Sequence, residues 1–234
     1  MLIYQSHNGY CYNSDSIFLA HFISSFQLKG NLLDVGCGVG VLGIILSGIP
    51  SVIISAIDKQ EKMCRYAKHN YANNNINTIL YNEDFATFDI AMKFDVIVSN
   101  PPFYAPSVYH SSDECLSIAR YASSLPMDIF FNKVHKLLTN HGRFYFCYDA
   151  KQIVDILLVL KKNHLTPEVI RFVHSKLNKD SKLVMIACKH NSKAVSRIMA
   201  PLIVFDDIGE YTAEAKEAFV YASLHSIKGE MSDI

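Results

Sequence analysis

A short polar and aromatic segment, Asn100-Pro101-Pro102-Phe103, directly follows the apolar run Phe94–Ser99. The run predicts a strand buried on both faces of a parallel sheet. The two prolines end it, because each fixes φ and lacks a backbone N–H, and Pro101 biases Asn100 towards extended backbone. The loop then presents an amide, a carbonyl and an aromatic ring at one point, which suits a flat ring carrying an amino group. For an isolated match, an ordinary strand-ending turn is the alternative.

A glycine-rich turn over residues 34–40 has the pattern D-x-G-x-G-x-G, with Gly36, Gly38 and Gly40 as its glycines. Glycines let the backbone approach a ligand closely and adopt conformations that other residues avoid. Asp34 enters the turn, and its carboxylate would repel a pyrophosphate but suit the positive amino-acid end of S-adenosylmethionine. The turn is therefore predicted to bind S-adenosylmethionine.

The same glycines allow a second interpretation, because Gly38-x-Gly40-x-x-Gly43 is a dinucleotide-binding fingerprint with Asp58 about twenty residues farther on. Asp58 serves either cofactor, since both have ribose hydroxyls that can donate to a carboxylate. Asp34 is the residue that separates the two interpretations.

Asp84 and Phe85 stand just past the third predicted strand. In the S-adenosylmethionine interpretation, Asp84 accepts from the adenine amino group and Phe85 lies against the ring. An isolated Asp after a strand is more often a turn or cap residue. Here the acidic residues all follow strands, and open α/β sheets bind ligands at the carboxyl ends of their strands. We therefore predict that they share one cofactor site.

The elements that must position these residues alternate in the order of an α/β fold with a doubly wound, mostly parallel, seven-stranded sheet. The strands are predicted at 31–35, 51–58, 78–81, 94–99, 143–148, 169–173 and 183–188, the last two pairing as an antiparallel hairpin at the sheet edge. The helices are predicted at 41–48, 60–74, 125–138 and 151–162. Residues 1–30 are expected to pack on the core and the cofactor site, ahead of one domain over 31–234.

Composition narrows the class of protein. Half of the 234 residues are hydrophobic, enough for one sizeable core. The six cysteines have neither zinc-ligand spacing nor a C-x-x-C pair, so we expect no metal and a cytoplasmic location. No secretory signal is recognised. The uncharged stretch 39–57 has the length of a membrane span, but glycines and a proline divide it, so no membrane association is expected.

The net charge of zero argues by itself against a nucleic-acid partner, but the charges are unevenly distributed. Residues 151–200 contain ten Lys or Arg and three Asp or Glu, whereas residues 201–234 contain two basic and seven acidic residues. The basic segment could contact phosphates. A solvated surface is the alternative explanation.

Together, the turn 34–40, Asp58, Asp84 and the segment 100–103 resemble class I S-adenosylmethionine-dependent methyltransferases that methylate amino groups. The chain is most similar to the bacterial valine-tRNA (adenine-N6)-methyltransferase family, which modifies the adenine 3′ of the anticodon. The similarity extends over nearly the whole chain, through weaker blocks at 13–20, 118–121, 171–175 and 209–212. It departs from the family at Tyr121, where His is expected, and in lacking an overall basic charge.

The resemblance implies a Rossmann-like fold, S-adenosylmethionine as cofactor and a tRNA substrate. Under this hypothesis the Asn100 side-chain oxygen and the Pro101 carbonyl accept the two amine hydrogens and aim the nitrogen lone pair at the sulfonium methyl. Phe103 and Tyr104 would stack on the splayed-out base. Further substrate-binding candidates are Arg120 and Lys176.

The tetrapeptide alone leaves the substrate open, since similar segments occur in enzymes that methylate adenine N6, guanine N2 of ribosomal RNA or the glutamine amide of release factors. The neutral charge favours a protein glutamine methyltransferase slightly. The later blocks, and the lack of a separate N-terminal helical domain, favour RNA. A non-catalytic RNA-binding module and a dehydrogenase are disfavoured, because neither needs this set of polar residues.

Overall fold

The protein is described by a computed structural model that covers residues 1–7, 12–101 and 125–229. The strands in these ranges are β1 (Leu2–Gln5), β2 (Gly30–Val35), β3 (Val52–Asp58), β4 (Ile79–Asn82), β5 (Phe94–Ser99), β6 (Leu138–Asp149), β7 (Leu165–His174), β8 (Ser181–His190), β9 (Arg197–Ile198), β10 (Leu202–Ile203) and β11 (His225–Lys228). The helices are α1 (Ser14–Ser24), α2 (Val41–Leu46), α3 (Glu61–Asn73), α4 (Met127–Leu137), α5 (Ile153–Lys162) and α6 (Ala213–Ala222).

The central sheet has the order β4-β3-β2-β5-β6-β8-β7, and its first five strands are parallel. β8 is antiparallel to both β6 and β7, and the short strands β9 and β10 pair with the outer edge of β7. The predicted α/β fold with a mostly parallel seven-stranded sheet is confirmed. As predicted, β7 and β8 pair as an antiparallel hairpin towards one edge of the sheet, and β8 lies between β6 and β7.

The chain leaves β2 on one side for β3 and β4 and then crosses back to β5 on the other side. The carboxyl ends of β2 and β5 therefore flank the point where the strand order reverses, which is where doubly wound sheets bind ligands. The Ser99 hydroxyl donates to the Val35 carbonyl at 2.7 Å and ties these two strand ends together.

Most predicted elements agree with the structure to within a few residues, but β6 begins earlier than expected. Leu138 pairs with Phe94, and the next paired residue, Arg143, faces Val96. The residues between 138 and 143 thus form an irregularity in the strand. Gly142 lies in this irregular part of β6, where an added Cβ would come within 2.9 Å of a Leu138 methyl.

Before β2, the described residues form one strand and one helix. β1 pairs in parallel with β11, which makes a small second sheet from the two ends of the described chain. α1 begins at Asn13, whose side chain accepts from the Asp15 N–H. Its apolar residues pack against α2, α6, β6 and β8. α6 and β11 were not predicted from the sequence, because their residues show no strong periodicity.

The stretch 39–57 consists of α2, a turn and most of β3. Among the described residues, no helix is long and apolar enough to cross a membrane.

Candidate active site

A cleft opens at the carboxyl ends of β2, β3 and β5. Its lining includes seven residues that the sequence singled out: Gly36, Gly38, Asp58, Asp84, Phe85, Asn100 and Pro101. The structure therefore brings residues from across the first hundred positions together at the point where the strand order reverses.

The glycine turn between β2 and α2 needs residues that tolerate the left-handed region. Gly36 has φ of 67° and Gly40 has φ of 90°. A Cβ at Gly36 would meet no atom within 4 Å, so the backbone conformation rather than crowding calls for glycine there. A Cβ at Gly40 would lie 3.1 Å from the Tyr71 ring, so packing also restricts this position.

Asp34 lies beneath this turn and is almost completely buried. Its Oδ2 accepts from the Gly43 N–H at 3.0 Å, whereas its Oδ1 is buried without a hydrogen-bond partner. Burial raises the pKa of Asp34 to about 7, and the charge of Asp58 adds to the rise. Asp34 lines a second cavity, which shares Gly36, Gly38 and Asn100 with the cleft.

Asp58 ends β3 and braces the glycine turn. One carboxylate oxygen accepts from the Gly38 N–H and the other from the Gln60 N–H, both at 2.9 Å. Burial raises the pKa of Asp58, and these two hydrogen bonds oppose the rise. Each oxygen has a further lone pair, so the carboxylate can still accept from a ligand hydroxyl in the cleft.

Asp84 and Phe85 form the wall of the cleft beyond β4. Asp84 Oδ1 accepts from the Ala86 N–H at 2.8 Å, so this residue does stabilise a turn, as the alternative interpretation expected. Phe85 is buried and packs edge-on against Phe130, with ring centroids 5.5 Å apart. Both side chains also line the cleft, so the structural role and the proposed cofactor role are compatible.

Asn100 follows β5 and lines both cavities. Its Nδ2 donates to Ser16 Oγ at 3.0 Å, and its Oδ1 accepts from the Cys147 thiol at 3.0 Å. Pro101 continues the lining of the cleft. Thus the amide predicted to contact the substrate lies at the junction of the two cavities and is held by two side chains.

Several predicted site residues are placed elsewhere or not described. Pro102, Phe103, Tyr104 and Arg120 lie outside the described residues. Lys176 follows β7, three strand positions from β5, and its Nζ donates to the Asp207 carbonyl at 3.1 Å. At roughly 4.8 Å per strand position, β7 is about 14 Å from β5.

The structure adds residues that the sequence did not single out. Further residues lining the cleft are Lys59, Gln60, Met63, Ser99, Leu125 and Phe130. Ser16 belongs to the similar block 13–20, so its segment was recognised but its contact was not. Nothing in the sequence around Cys147 indicated that its thiol would reach Asn100. Among the described residues, no group of His, Cys, Asp or Glu could hold a metal ion.

S-adenosylmethionine carries an ammonium group, ribose hydroxyls and an adenine amino group, all of which donate hydrogen bonds. The unpartnered Asp34 oxygen and the carboxylates of Asp58 and Asp84 are suitable acceptors for these groups. The fold is that of the class I S-adenosylmethionine-dependent methyltransferases. Solved structures support the fold: a predicted O-methyltransferase from Agrobacterium tumefaciens is similar with a TM-score of 0.71 at 13% identity, covering 92% of this chain and 100% of that one. A ribosomal protein L11 methylase from Lactobacillus delbrueckii gives 0.58 at 21% identity, covering 78% and 81%.

A family model described as the methyltransferase small domain matches residues 11–125, about half of the chain. Curated relatives are tRNA1(Val) (adenine(37)-N6)-methyltransferases. The protein from Christiangramia forsetii is 26% identical over 87% of both chains. The protein from Yersinia enterocolitica is 33% identical over 56% of this chain and 54% of its own length. S-adenosylmethionine is the cofactor of this class of enzyme.

Proposed function

We propose that this enzyme methylates the exocyclic N6-amino group of an adenine in tRNA, the adenine 3′ of the anticodon of a valine tRNA. The observation that carries the proposal is the position of Asn100, whose side-chain amide lies where the cofactor cleft meets the Asp34 cavity. The names of the curated relatives support the choice of substrate. Such an enzyme works in the cytoplasm, and the four described cysteines, all free, suit a reducing compartment.

The residues of the glycine turn and the acidic side chains would hold the cofactor, which supplies an electrophilic sulfonium methyl when bound. Asp34 would face its ammonium group, since the buried Oδ1 has no other partner. Asp58 would accept from the ribose hydroxyls. Asp84 and Phe85 would bind the adenine, by a hydrogen bond and by ring contact. These assignments use which cavity each residue lines: Asp34 lines the second cavity, whereas Asp58, Asp84 and Phe85 line the cleft.

The chemical task of the site is to localise a lone pair, because the nitrogen of an exocyclic amine shares its lone pair with the purine ring. The Asn100 side-chain oxygen and the Pro101 carbonyl would accept the two amine hydrogens. The nitrogen gains positive charge during methyl transfer, so preplaced acceptors stabilise the transition state more than the ground state. Alignment of the amine with the sulfonium methyl contributes the remaining rate acceleration, and no metal or covalent intermediate is required.

The test of this mechanism is Asn100→Ala. We expect the variant to bind S-adenosylmethionine normally and to lose methyl transfer by at least about 10²-fold, the scale observed when one preorganised polar group is removed. Asn132→Ala is the matched control, because Asn132 is on the exposed face of α4. Equal turnover by Asn100→Ala and the wild type would disprove the role of the amide.

The test of the substrate uses methyl-tritiated S-adenosylmethionine with total tRNA, ribosomal RNA and a protein extract, followed by analysis of the labelled products. N6-methyladenosine in tRNA supports the proposal, and a valine-tRNA transcript with guanine in place of the target adenine should remain unlabelled. N2-methylguanosine in ribosomal RNA or N5-methylglutamine in protein would instead support one of the other amino-group methyltransferases.

A further inference from the structure

Two buried side chains from distant parts of the sequence hold the side-chain amide of Asn100. Ser16 lies in the first turn of α1 and Cys147 near the end of β6, and both are buried. The Ser16 Oγ accepts from Asn100 Nδ2, and the Cys147 thiol donates to Asn100 Oδ1, each at 3.0 Å. The amide is thus fixed at both ends by elements other than the strand that carries it.

We propose that Ser16 and Cys147 are positioning residues that set which edge of the Asn100 amide is the acceptor, an inference that rests on the proposed function. The last torsion of an Asn side chain has no sharp minima, so the backbone at Asn100 does not fix it. A half-turn of the amide would exchange its oxygen for its NH2 group. The site would then offer a donor to a substrate amine that itself needs acceptors.

The chemistry of the two contacts favours one orientation. Ser16 takes the NH2 end by accepting from it. Cys147 uses only one of the two lone pairs on the amide oxygen, which leaves the other lone pair for a substrate amine. A thiol is a weak donor, so it orients the oxygen while withdrawing little of its acceptor strength.

The protonation state of the thiol supports this arrangement. Burial raises the pKa of Cys147 well above its usual value, and the nearby charge of Asp15 adds to the rise. The thiol therefore keeps its proton at neutral and mildly alkaline pH and continues to donate. A thiolate would repel the Asn100 oxygen instead.

Because Ser16 is on α1, the N-terminal segment contributes a residue that orients the Asn100 amide. α1 is held by the Asn13 cap and by packing against α2, α6 and the sheet. The position of its first turn decides whether the hydroxyl reaches Asn100. The acceptor geometry of the site is therefore assembled from β5, β6 and a helix that precedes the sheet in the sequence.

Kinetics of Ser16→Ala and Cys147→Ala test the inference, with the valine-tRNA transcript as substrate. Each variant should lower kcat by about tenfold, the scale of one neutral hydrogen bond, with little change in KM or in S-adenosylmethionine affinity. Cys147→Ser keeps a donor and should restore most of the rate. The matched controls Ser24→Ala on α1 and Cys188→Ala on β8 should keep the wild-type kcat.

A double-mutant cycle separates positioning from general damage. If Ser16 acts through the Asn100 amide, Ser16→Ala should cause no further loss of kcat in the Asn100→Ala background. An equal tenfold loss in both backgrounds would overturn the inference, as would wild-type kcat in both single variants. A loss confined to cofactor affinity would assign Ser16 to cofactor binding and overturn it as well.

A measurement that needs no RNA makes failure of the inference distinguishable from failure of the proposed function. In NMR spectra of asparagine-labelled protein, the Asn100 side-chain NH2 signals are those missing from Asn100→Ala. They should exchange slowly with solvent in the wild type and faster in Ser16→Ala. Equal exchange rates would overturn the inference whatever the substrate is, whereas a wild type that labels no tRNA would refute only the proposed function.

Discussion

Replacing Asp34 by Asn removes the buried negative charge beside the glycine turn and keeps a side-chain oxygen for the Gly43 N–H. Asp34 is 1% exposed, and burial raises its pKa to about 7 from an ordinary value of 3.8. Because the folded-state pKa is raised, the favourable contribution of this group is fully present below pH 3.8 and is lost as the pH rises towards 7. The variant should therefore be more stable than the wild type at pH 8.

The size of the effect follows from the two pKa values. A carboxyl that titrates at about 7 when folded and at 3.8 when unfolded costs up to about 4 kcal/mol once it is ionised, at about 1.4 kcal/mol for each pH unit of separation. We expect Asp34→Asn to raise the free energy of unfolding by roughly 1–4 kcal/mol at pH 8. The gain can fall below the upper limit because the folded protein relaxes around a buried charge.

Urea unfolding at several pH values measures this gain. The difference in unfolding free energy between Asp34→Asn and the wild type should grow from about pH 4 to about pH 7 and then stay constant. Asp95→Asn is the matched control, because Asp95 accepts from the Asn31 N–H at 3.0 Å at the opposite end of the sheet. A variant that is less stable than the wild type at pH 8 would refute the reasoning.

Asp34→Asn should also weaken the binding of S-adenosylmethionine, because the ammonium group of the cofactor loses its carboxylate partner. We expect S-adenosylmethionine affinity of the wild type to rise from pH 6 to pH 8 as Asp34 ionises, and the affinity of Asp34→Asn to be lower and nearly independent of pH. Calorimetric titration measures both. Wild-type affinity that does not change over this range would show that the ionisation of Asp34 is not coupled to cofactor binding.

Three further predictions concern packing, acid stability and RNA contact. Gly43→Ala would place a Cβ 2.1 Å from the Tyr71 hydroxyl, so it should destabilise the fold by about 1–3 kcal/mol; Tyr71→Phe, which removes a buried hydroxyl without a partner, should recover much of this in urea unfolding. Burial and neighbouring imidazoles lower the pKa of His135 below 6.5, so the free energy of unfolding should fall as the pH drops below about 6.5. In thermal melts at several pH values, His135→Gln should make this dependence on pH less steep. Lys176 follows β7 at the edge of the sheet that carries the cleft, whereas Lys161 ends α5 at the opposite edge, so Lys176→Glu should weaken tRNA binding in a salt titration while Lys161→Glu should not. If the two lysine changes had equal effects on tRNA binding, the basic segment 151–200 would be an ordinary solvated surface.

The strands and helices around the site were largely predictable because each has a strong local signal. β2, β3 and β5 are apolar runs between turns, and α3 has apolar residues at helical spacing. The end of the chain was less predictable. β11 is a four-residue, mostly exposed strand, and it exists because β1 provides its partner more than 200 residues earlier in the sequence. No local pattern contains that information.

The basic segment illustrates a second limit of the sequence. Residues 151–200 look like one charged surface in the sequence, but the alternation of α5, β7 and β8 sends their lysines to opposite edges of the sheet. Lys162 also pairs with Asp128 at 2.8 Å. Charge along a chain becomes a surface only after the direction of each element is known.

The sequence by itself determined the fold class, the glycine turn and the order of Asp34, Asp58, Asp84 and Asn100, because each depends on residue type and on neighbours a few positions away. The tertiary structure alone decided how those residues meet. It buried one Asp34 oxygen without a partner, and it brought a serine and a cysteine to the two ends of the Asn100 amide. Those contacts join residues 84 and 47 positions apart, so they exist only once the sheet and α1 have packed.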